Sequence, residues 1–450
     1  MSYVDYTFQT QEDRDDYINN KLYKNVLLAG IKVSVDGEYF VTMPRWKEKV
    51  PATLGKIVVD ASNHVMVQPY PSWEMNKIGD ADAIQSVLGI EIDNTNTLWI
   101  LDQGKVNGSS AIKGSIKLLA YDLNTDKLVH KKVFPPEIAS LTDSFLNDVV
   151  VDTENSRVYI SDSGITADPS HSALPGLIIW DYKKDDLKRV LSNVVSTKAD
   201  DKLWIKINGE KVLLDNPMET GADGIALTPN GKKLFWCPLT SHTNYYIKTK
   251  YLWDDDKNSN EKLQEKIKTL KKISATDGMS FDNQSRLFVS SLEYSGILWD
   301  ADPTKDSEDK IMSTLLVNNS KSMMWPDTLA FDHQGWLVFV SNQLHRFLNN
   351  ELIFSVDNST EHINFRIWKT YIGTDSYSFV TEKEDSSHFA AWKTALISCF
   401  STAAFIGIVV LIIFVIRKKK KKKKKSKKSN IQKSLLKSDT ESSTSNSDKI

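Results

Sequence analysis

Cysteine is nearly absent from this chain of 450 residues, which contains only two. Cys399 lies inside a long apolar run, so Cys237 is the single cysteine of the remaining body. No disulfide can therefore form within that body, and its stability must come from a hydrophobic core.

Motifs of the common hydrolases and nucleotide-binding proteins are also missing. The chain contains no HExxH, GxSxG, GxxxxGKS/T or CxxC motif, and its eight histidines are scattered without metal-ligand spacing. Catalysis by a serine triad or by zinc is therefore unsupported. His242, in the segment "LTSHTNYY", is either an exposed loop residue or a residue that reaches a binding site.

Outside the last 34 residues, positive charge is outnumbered by negative charge. Residues 1–416 contain 43 Lys and Arg against 55 Asp and Glu, whereas residues 417–450 contain 14 against 3. An acidic body argues against nucleic acid as a partner, because the phosphate backbone requires a basic surface. It favours cations, amines or metals through long-range attraction.

One long apolar run is present, residues 395–416, with 22 residues and no charge. This length is enough to cross a membrane as a helix. The basic run "RKKKKKKKKSKK" follows it directly, so the positive-inside rule places the tail in the cytosol and the body outside the cell or in a lumen. We expect the lysines either to bind the anionic inner leaflet or to act only as a stop-transfer signal.

The amino-terminal sequence does not match that orientation. Residues 1–20 have no apolar core and cannot be a secretory signal peptide. Either the sequence as given begins too late, or the apolar helix inserts after synthesis and leaves the body in the cytosol. Four glycosylation sequons fit a secretory body, at Asn107, Asn283, Asn318 and Asn358.

The body contains six copies of a pattern of strand, polar turn and strand, for example "ATDGMSFDNQSRLFVSS" from Ala275. The copies lie 50 to 76 residues apart, which suits one four-stranded sheet per copy. We predict an all-β fold, a six-bladed β-propeller, in which closure removes exposed sheet edges. Separate sandwich domains are the alternative, but the copies lack linkers between them.

One aligned position in the repeats carries polar side chains. Along the chain, this position is occupied by Ala29, Leu88, Asn147, Asp223, Asp277 and Asp327. The first strand of each propeller blade lines the central channel, so the polar members should form a partial ring at one mouth. Carboxylate and amide oxygens suit calcium or magnesium and equally a protonated amine, although the same residues could only cap backbone donors.

The sequence therefore predicts a site for a small-molecule ligand at this ring. Its predicted members are Asn147, Asp223, Asp277 and Asp327, of which the first three would hold Ca²⁺ if the site is metallic. Trp325, close to Asp327, would either contact a ring-bearing amine by a cation–π interaction or pack in the core. Core packing is also expected of Trp73, Trp99 and Trp180.

The predicted domain organisation follows from these features. We expect an amino-terminal extension, the propeller, a linker, a transmembrane helix and a basic tail, at residues 1–23, 24–384, 385–394, 395–416 and 417–450. A helical pattern, "NEKLQEKIKTLKKI", is interpreted as a loop excursion of the fourth blade.

Seven blocks of the chain resemble the yellow/major royal jelly protein family over about residues 24–380. They are "YFVTMPRWKEKVPATL", "QPYPSW", "LGIEIDNTNTLWILDQG", "LNDVVVD…VYISDSG…GLIIWD", "DGIALTPNGKKLFWCPLTS", "MWPDTLAFDHQGWLVFVSNQL" and "NFRIWKTYIGTDSY". The resemblance implies a six-bladed propeller and a mostly secreted family, with roles in binding small amines, dopachrome conversion and nutrition. Because these roles diverge, membership does not fix an activity.

The chain departs from this family in three ways. A family disulfide cysteine is replaced by Thr95, no signal peptide is seen, and a membrane anchor with a lysine tail is added. Two classes of function remain. One is a binding protein for a small cationic or aromatic ligand; the other is an enzyme, either a dopachrome-type isomerase or a metal-dependent lactonase or esterase.

Overall fold

Each of the six sequence repeats forms the two inner strands of one antiparallel sheet. The computed structural model describes residues 1–166, 170–253, 259–305, 310–356 and 362–379. The first strand of each sheet contacts the first strand of the next sheet, and the sixth contacts the first. The sheets thus close around a central channel, which confirms the predicted six-bladed β-propeller.

The first three blades have four strands each. Blade 1 contains β1 (Ile31–Val33), β2 (Tyr39–Thr42), β3 (Leu54–Val59) and β4 (Val65–Pro69). Blade 2 contains β5 (Val87–Ile92), β6 (Thr97–Asp102), β7 (Lys117–Asp122) and β8 (Lys127–Val133). Blade 3 contains β9 (Leu146–Asp152), β10 (Arg157–Asp162), β11 (Gly176–Asp181) and β12 (Asp186–Val190).

The remaining blades follow a short hairpin, β13 (Lys206–Ile207) and β14 (Glu210–Lys211). Blade 4 contains β15 (Ala222–Leu227), β16 (Lys233–Pro238), β17 (Thr243–Lys248) and β18 (Lys268–Lys272). Blade 5 contains β19 (Met279–Phe281), β20 (Leu287–Ser291), β21 (Gly296–Asp300) and β23 (Thr314–Asn318), while β22 (Ile311–Met312) pairs with β18. Blade 6 has three strands in the described part of the chain, β24 (Pro326–Phe331), β25 (Trp336–Ser341) and β26 (Arg366–Tyr371).

The core lies between neighbouring blades. Strands β5 and β6 are buried at every residue, because the inner strands pack against another blade on both faces and so carry continuous apolar runs. The outer strand β8 has mostly exposed residues. Trp99 and Trp325 are fully enclosed, in agreement with the packing role expected of the tryptophans.

The polar turn predicted between the first two strands is present in every blade. In blade 2, Asp93 Oδ1 accepts the N–H groups of Thr95 and Thr97 at 2.8 and 3.2 Å, and Asn96 adopts a φ of 58°. An aspartate that begins a turn and satisfies its donors explains this choice of residue. We call the end of the channel with these turns the lower end, and the opposite end the upper end.

Residues 1–23, predicted as an extension, pack as part of the propeller. They include helix α1 (Gln11–Asn19). Tyr6 pairs with Val67 of β4, and the Met1 ammonium group donates to the Phe365 carbonyl at 2.8 Å. Since these contacts join blade 1 to blade 6, the segment reinforces the closure of the ring.

The helical pattern interpreted as a loop excursion of blade 4 is partly a strand of that blade. Helix α2 covers only Asn260–Gln264, and the following residues form β18, the outer strand of blade 4. Alternation of Lys with apolar residues in this stretch fits an outer strand with one buried face. A third helix, α3 (Leu344–Leu348), follows β25 at the upper end.

The lower end of the channel is closed by the segment that follows β26. Tyr377 is buried beside the first strand of blade 3, where its hydroxyl accepts the N–H of Val151 at 2.9 Å and donates to the Val151 carbonyl at 3.2 Å. Its own N–H donates to the Phe281 carbonyl at 3.1 Å. The segment thereby links the first strands of blades 3 and 5.

Among the residues just described, no helix has the length and apolar character needed to span a membrane. The predicted linker, span and tail, residues 385–394, 395–416 and 417–450, lie outside the described residues.

Candidate functional site

The four predicted polar residues come together at the upper end of the channel. Asn147, Asp223, Asp277 and Asp327 line one cavity and are between 2 and 8% exposed. We call these four residues the acidic ring. Leu88, the equivalent residue of blade 2, lines the same cavity.

A β-bulge directs the ring side chains into the channel. In blades 3, 4 and 6 the strand register shifts at the ring residue and its successor, Asn147–Asp148, Asp223–Gly224 and Asp327–Thr328. A bulge places an extra residue in one strand and changes the direction of its side chain. The Asp-Gly pairs therefore lie within or at the start of a strand and do not form turns.

Glycine after a ring aspartate is required by close packing between blades. A Cβ atom on Gly224 would lie 2.3 Å from the Asp277 carbonyl oxygen, and one on Gly278 would lie 2.5 Å from the Asp327 carbonyl oxygen. Each glycine thus lets the backbone carrying the next ring aspartate approach. Close packing between blades, and not a turn, therefore explains why glycine follows aspartate in these repeats.

Each ring aspartate receives one hydrogen bond from a neutral N–H donor. Asn147 Nδ2 donates to Asp223 Oδ2 at 2.7 Å, Trp325 Nε1 to Asp277 Oδ2 at 2.6 Å, and Asn342 Nδ2 to Asp327 Oδ2 at 2.7 Å. These donors fix the carboxylates without neutralising them. In the described residues, none of the three carboxylates forms an ion pair with Lys, Arg or His.

Burial raises the pKa of all three aspartates. The pKa of Asp277 rises to about 6 because burial disfavours its charged form. Burial, together with the neighbouring charge of Asp277, raises the pKa of Asp223 and of Asp327 well above the usual range. The carboxyl groups of Asp223 and Asp277 lie within hydrogen-bond reach of each other, so without a cation the ring retains protons.

The cavity above the ring is small and mostly apolar. Its volume is about 190 Å³, slightly above the roughly 150 Å³ of an engineered cavity that admits benzene. Its walls include Phe145, Leu239 and Leu344. Trp46 also lines it, and the buried Nε1 of Trp46 has no hydrogen-bond partner in the described part of the chain.

Two elements flank this cavity at the upper end. Helix α3 contributes Leu344 and Leu348 to the lining. The β13–β14 hairpin reaches across to the far blades, since Asn208 Nδ2 donates to the Ser320 carbonyl at 2.7 Å. Met218, a few residues after the hairpin, also lines the cavity. Sequence reasoning did not predict either element as part of the site.

Further charged groups lie below the ring. Lys32 Nζ and Glu91 Oε2 form a buried ion pair at 3.1 Å. Burial raises the pKa of Asp148 to about 7, while the Lys32 charge opposes that rise. Asp148 could not be predicted from the repeat, because the other five copies carry glycine or threonine at the equivalent position.

Trp325 is not positioned as the predicted aromatic contact for a ligand. Its ring is 0% exposed, stacks on His345 with centroids 6.1 Å apart, and does not line the cavity. Its N–H instead orients Asp277, which is a positioning role. A φ of 52° at Trp325 places this bulky residue in a rarely used backbone conformation.

His242 does not reach the cavity. Its Nε2 lies 2.7 Å from Glu293 Oε2, and its side chain is 41% exposed. Glu293 also accepts the Ala275 N–H at 3.0 Å. His242 therefore joins blades 4 and 5 at the surface.

The metal site predicted at Asn147, Asp223 and Asp277 stays a prediction. In the described residues, no group of three or more His, Cys, Asp or Glu side chains is arranged to hold a metal ion. The Ca²⁺ set of Asn147, Asp223 and Asp277 supplies only two carboxylates. One oxygen of Asp223 and one of Asp277 already accept N–H donors from Asn147 and Trp325.

The predicted glycosylation sites differ in accessibility. Asn107 and Asn318 are exposed. Asn283 is half-buried, and its Nδ2 donates to the Phe379 carbonyl at 3.2 Å. Asn358 lies outside the described residues. The geometry thus favours Asn107 and Asn318 as acceptors.

Comparisons with known proteins match most of the chain to one family. A family model described as major royal jelly protein matches residues 85–376. Major royal jelly protein 7 of Apis mellifera is 26% identical over 390 residues, which cover 81% of this chain and 82% of the relative. Major royal jelly protein 1 of Apis mellifera is 26% identical over 401 residues, covering 81% and 84%.

A solved structure of a gluconolactonase from Xanthomonas campestris matches with a TM-score of 0.41 and 14% identity, over 70% of this chain and 83% of that chain. The family model covers more than half of the sequence. The chain therefore belongs to the major royal jelly protein family.

Proposed function

We propose that the upper cavity binds a small organic cation, an amine with an apolar or aromatic body. The observation that carries this proposal is the acidic ring itself. Three buried carboxylates form the floor of an apolar cavity, and the residues that the structure describes supply no cation to pair with them. A buried charge without a partner is costly, and a bound ammonium group would remove that cost.

The hydrogen-bonding capacity of the ring matches an ammonium group. A primary ammonium has three N–H donors and no acceptor. Asp223, Asp277 and Asp327 each have one oxygen held by a neutral N–H donor. The second oxygen of Asp327 accepts the Thr328 hydroxyl at 3.2 Å, so the second oxygens of Asp223 and Asp277 are the main acceptors for a ligand. Charge-assisted hydrogen bonds of this kind are about twice as strong as neutral ones.

The walls of the cavity match the rest of such a ligand. Phe145, Leu239 and Leu344 offer apolar contact, and the volume of about 190 Å³ limits the ligand to roughly one ring with a short chain. The unpartnered N–H of Trp46 is available to an acceptor on that ring. An aromatic monoamine meets the charge and size conditions, and a hydroxyl group on its ring would also meet the third.

The test is calorimetric titration of the full chain with phenethylamine and, as its neutral counterpart, 2-phenylethanol. Phenethylamine should bind and 2-phenylethanol should bind at least tenfold more weakly, because only the amine can pair with the carboxylates. Asp277→Asn should weaken amine binding by about 30-fold or more, equivalent to about 2 kcal/mol. The unliganded variant should be as stable as the parent or more stable, since one buried carboxylate is removed.

Asp36→Asn is the matched control, because Asp36 is exposed in the β1–β2 turn and the change in net charge is identical. Equal amine affinity in the parent and in Asp277→Asn would contradict the proposal. A titration with calcium chloride tests the alternative of a metal-dependent lactonase or esterase. Calcium binding that Asp277→Asn removes, without amine binding, would favour that alternative over the amine site.

We further propose that residues 395–416 anchor the protein in a membrane, with the propeller extracellular or luminal and residues 417–450 cytosolic at the anionic leaflet. The support is the uncharged run and the lysines that follow it. Protease added to intact cells should then degrade the propeller. Protection of the propeller until the membrane is permeabilised would contradict this orientation.

A further inference from the structure

A second cavity lies between blades 4 and 5 at the lower end, away from the acidic ring. Its volume is about 540 Å³. Residues from the β15–β16 turn, the end of β17 and the segment after β21 line it. Its charged lining residues are Lys232, Lys233, Lys248, Lys250 and Asp302. We call this cavity the lysine pocket.

The four lysines of this pocket have no carboxylate partner. In the described part of the chain, no carboxylate oxygen lies within 4.0 Å of their ammonium groups. Some surface lysines elsewhere are paired, for example Lys131 with Asp82 at 2.6 Å and Lys310 with Asp300 at 2.8 Å. The pocket therefore concentrates unpaired positive charge on a body that is acidic as a whole.

We propose that the lysine pocket binds a phosphate monoester whose organic part is apolar. Four lysines against one aspartate favour an anion of more than one charge, and a phosphate monoester carries about −1.5 to −2 at neutral pH with three acceptor oxygens. Lysine binds phosphate as a point charge. The hydroxyl groups of Thr249 and Thr304 also line the cavity.

The apolar part of the ligand has a place in the same cavity. Pro303 and Phe281 are buried residues of the lining, and a volume of about 540 Å³ falls in the range of small-molecule sites. A free phosphate ester and the headgroup of a phosphorylated lipid share this chemistry. The two sources can be separated by experiment.

The test is calorimetric titration of the full chain with phenyl phosphate at low ionic strength. We expect the parent to bind phenyl phosphate. Its affinity should fall by about tenfold or more in the triple variant Lys232→Gln, Lys248→Gln, Lys250→Gln. All three lysines are exposed, so the variant should fold normally. Flotation with phosphatidylcholine vesicles, with and without a phosphatidylinositol phosphate, distinguishes the lipid source: vesicle binding lost in the same variant assigns the headgroup.

The control is a second triple variant, Lys24→Gln, Lys113→Gln, Lys198→Gln, which makes the same change in net charge at exposed lysines elsewhere. An equal loss of phenyl phosphate affinity in both triple variants would show that only the net charge of the protein matters, and this result would overturn the proposal. Absence of phenyl phosphate binding in the parent would also overturn it. The proposal would also fail if phenyl phosphate bound only to a variant with Asp254, Asp255 and Asp256 changed to Asn. The lysines would then pair with acidic residues of the chain itself.

Discussion

The two ends of the central channel differ in how their charges are balanced. At the upper end, Asp223, Asp277 and Asp327 accept hydrogen bonds only from neutral side-chain donors. Towards the lower end, two acidic groups have charged partners: Glu91 pairs with Lys32, and Arg286 Nε lies 2.5 Å from Asp282. One propeller thus contains both arrangements along a single axis.

Because of this difference, we expect the charged groups at the lower end to contribute to stability and those at the upper end to bind a ligand. A buried ion pair that is complete within the protein leaves nothing for a ligand to neutralise, whereas a buried carboxylate that lacks a cation does. The lower end is also closed by Tyr377, while the upper end has a cavity. Changes near the lower end should therefore affect folding, and changes in the acidic ring should affect binding.

The largest expected effect comes from breaking the lower pair. Lys32→Met should lower the free energy of unfolding by about 3–5 kcal/mol, because Glu91 is left buried and unpaired. Urea denaturation near neutral pH measures this loss. The double variant Lys32→Met, Glu91→Leu should recover most of it, since no uncompensated charge remains. If Lys32→Met were as stable as the parent, the lower end would not contribute to stability as proposed, and the two ends would not differ in this respect.

The pH dependence of stability should sharpen the comparison. The pKa of Asp277 is about 6 in the folded protein against an ordinary value of 3.8. The folded state therefore binds the proton of Asp277 more tightly than the unfolded state does. Its contribution to stability is fully present below pH 3.8 and is lost as the pH rises through about 6. The free energy of unfolding of the unliganded parent should fall over this interval, on the order of 3 kcal/mol from this group.

The variant Asp277→Asn isolates this effect. It should flatten the fall between about pH 4 and pH 6 in urea denaturation series. Amine affinity should change in the opposite direction, rising with pH over the same interval, because the ligand binds the ionised carboxylates. If the free energy of unfolding had the same pH dependence in the parent and in Asp277→Asn, Asp277 would not retain a proton in the folded state.

Much of the fold was predictable because the repeat encodes it locally. The turn residues such as Asp93 and Asp332 appear at fixed spacing, and each satisfies its own backbone donors. The inward position of Asp223 and Asp277 followed from the same alignment. Local patterns of this kind need no knowledge of distant contacts.

The remaining features depend on contacts between residues far apart in sequence. Trp325 donates to Asp277 across 48 positions, and Asn147 to Asp223 across 76, so no local pattern reveals these donors. The strand β18 was predicted as a helix because Lys and Leu are compatible with both periodicities. The closure of the channel by Tyr377 joins it to Val151, 226 positions away.

The smallest expected effect concerns that closure. Tyr377→Phe keeps the ring in place but leaves the buried N–H and carbonyl of Val151 without their partner, which should cost about 1–2 kcal/mol of stability. Urea denaturation measures the cost, and calorimetry with phenethylamine measures the affinity. Affinity should not change, because the acidic ring lies at the other end of the channel. A parallel loss of affinity would mean that the two ends are coupled, and the separation of stability from binding would then fail.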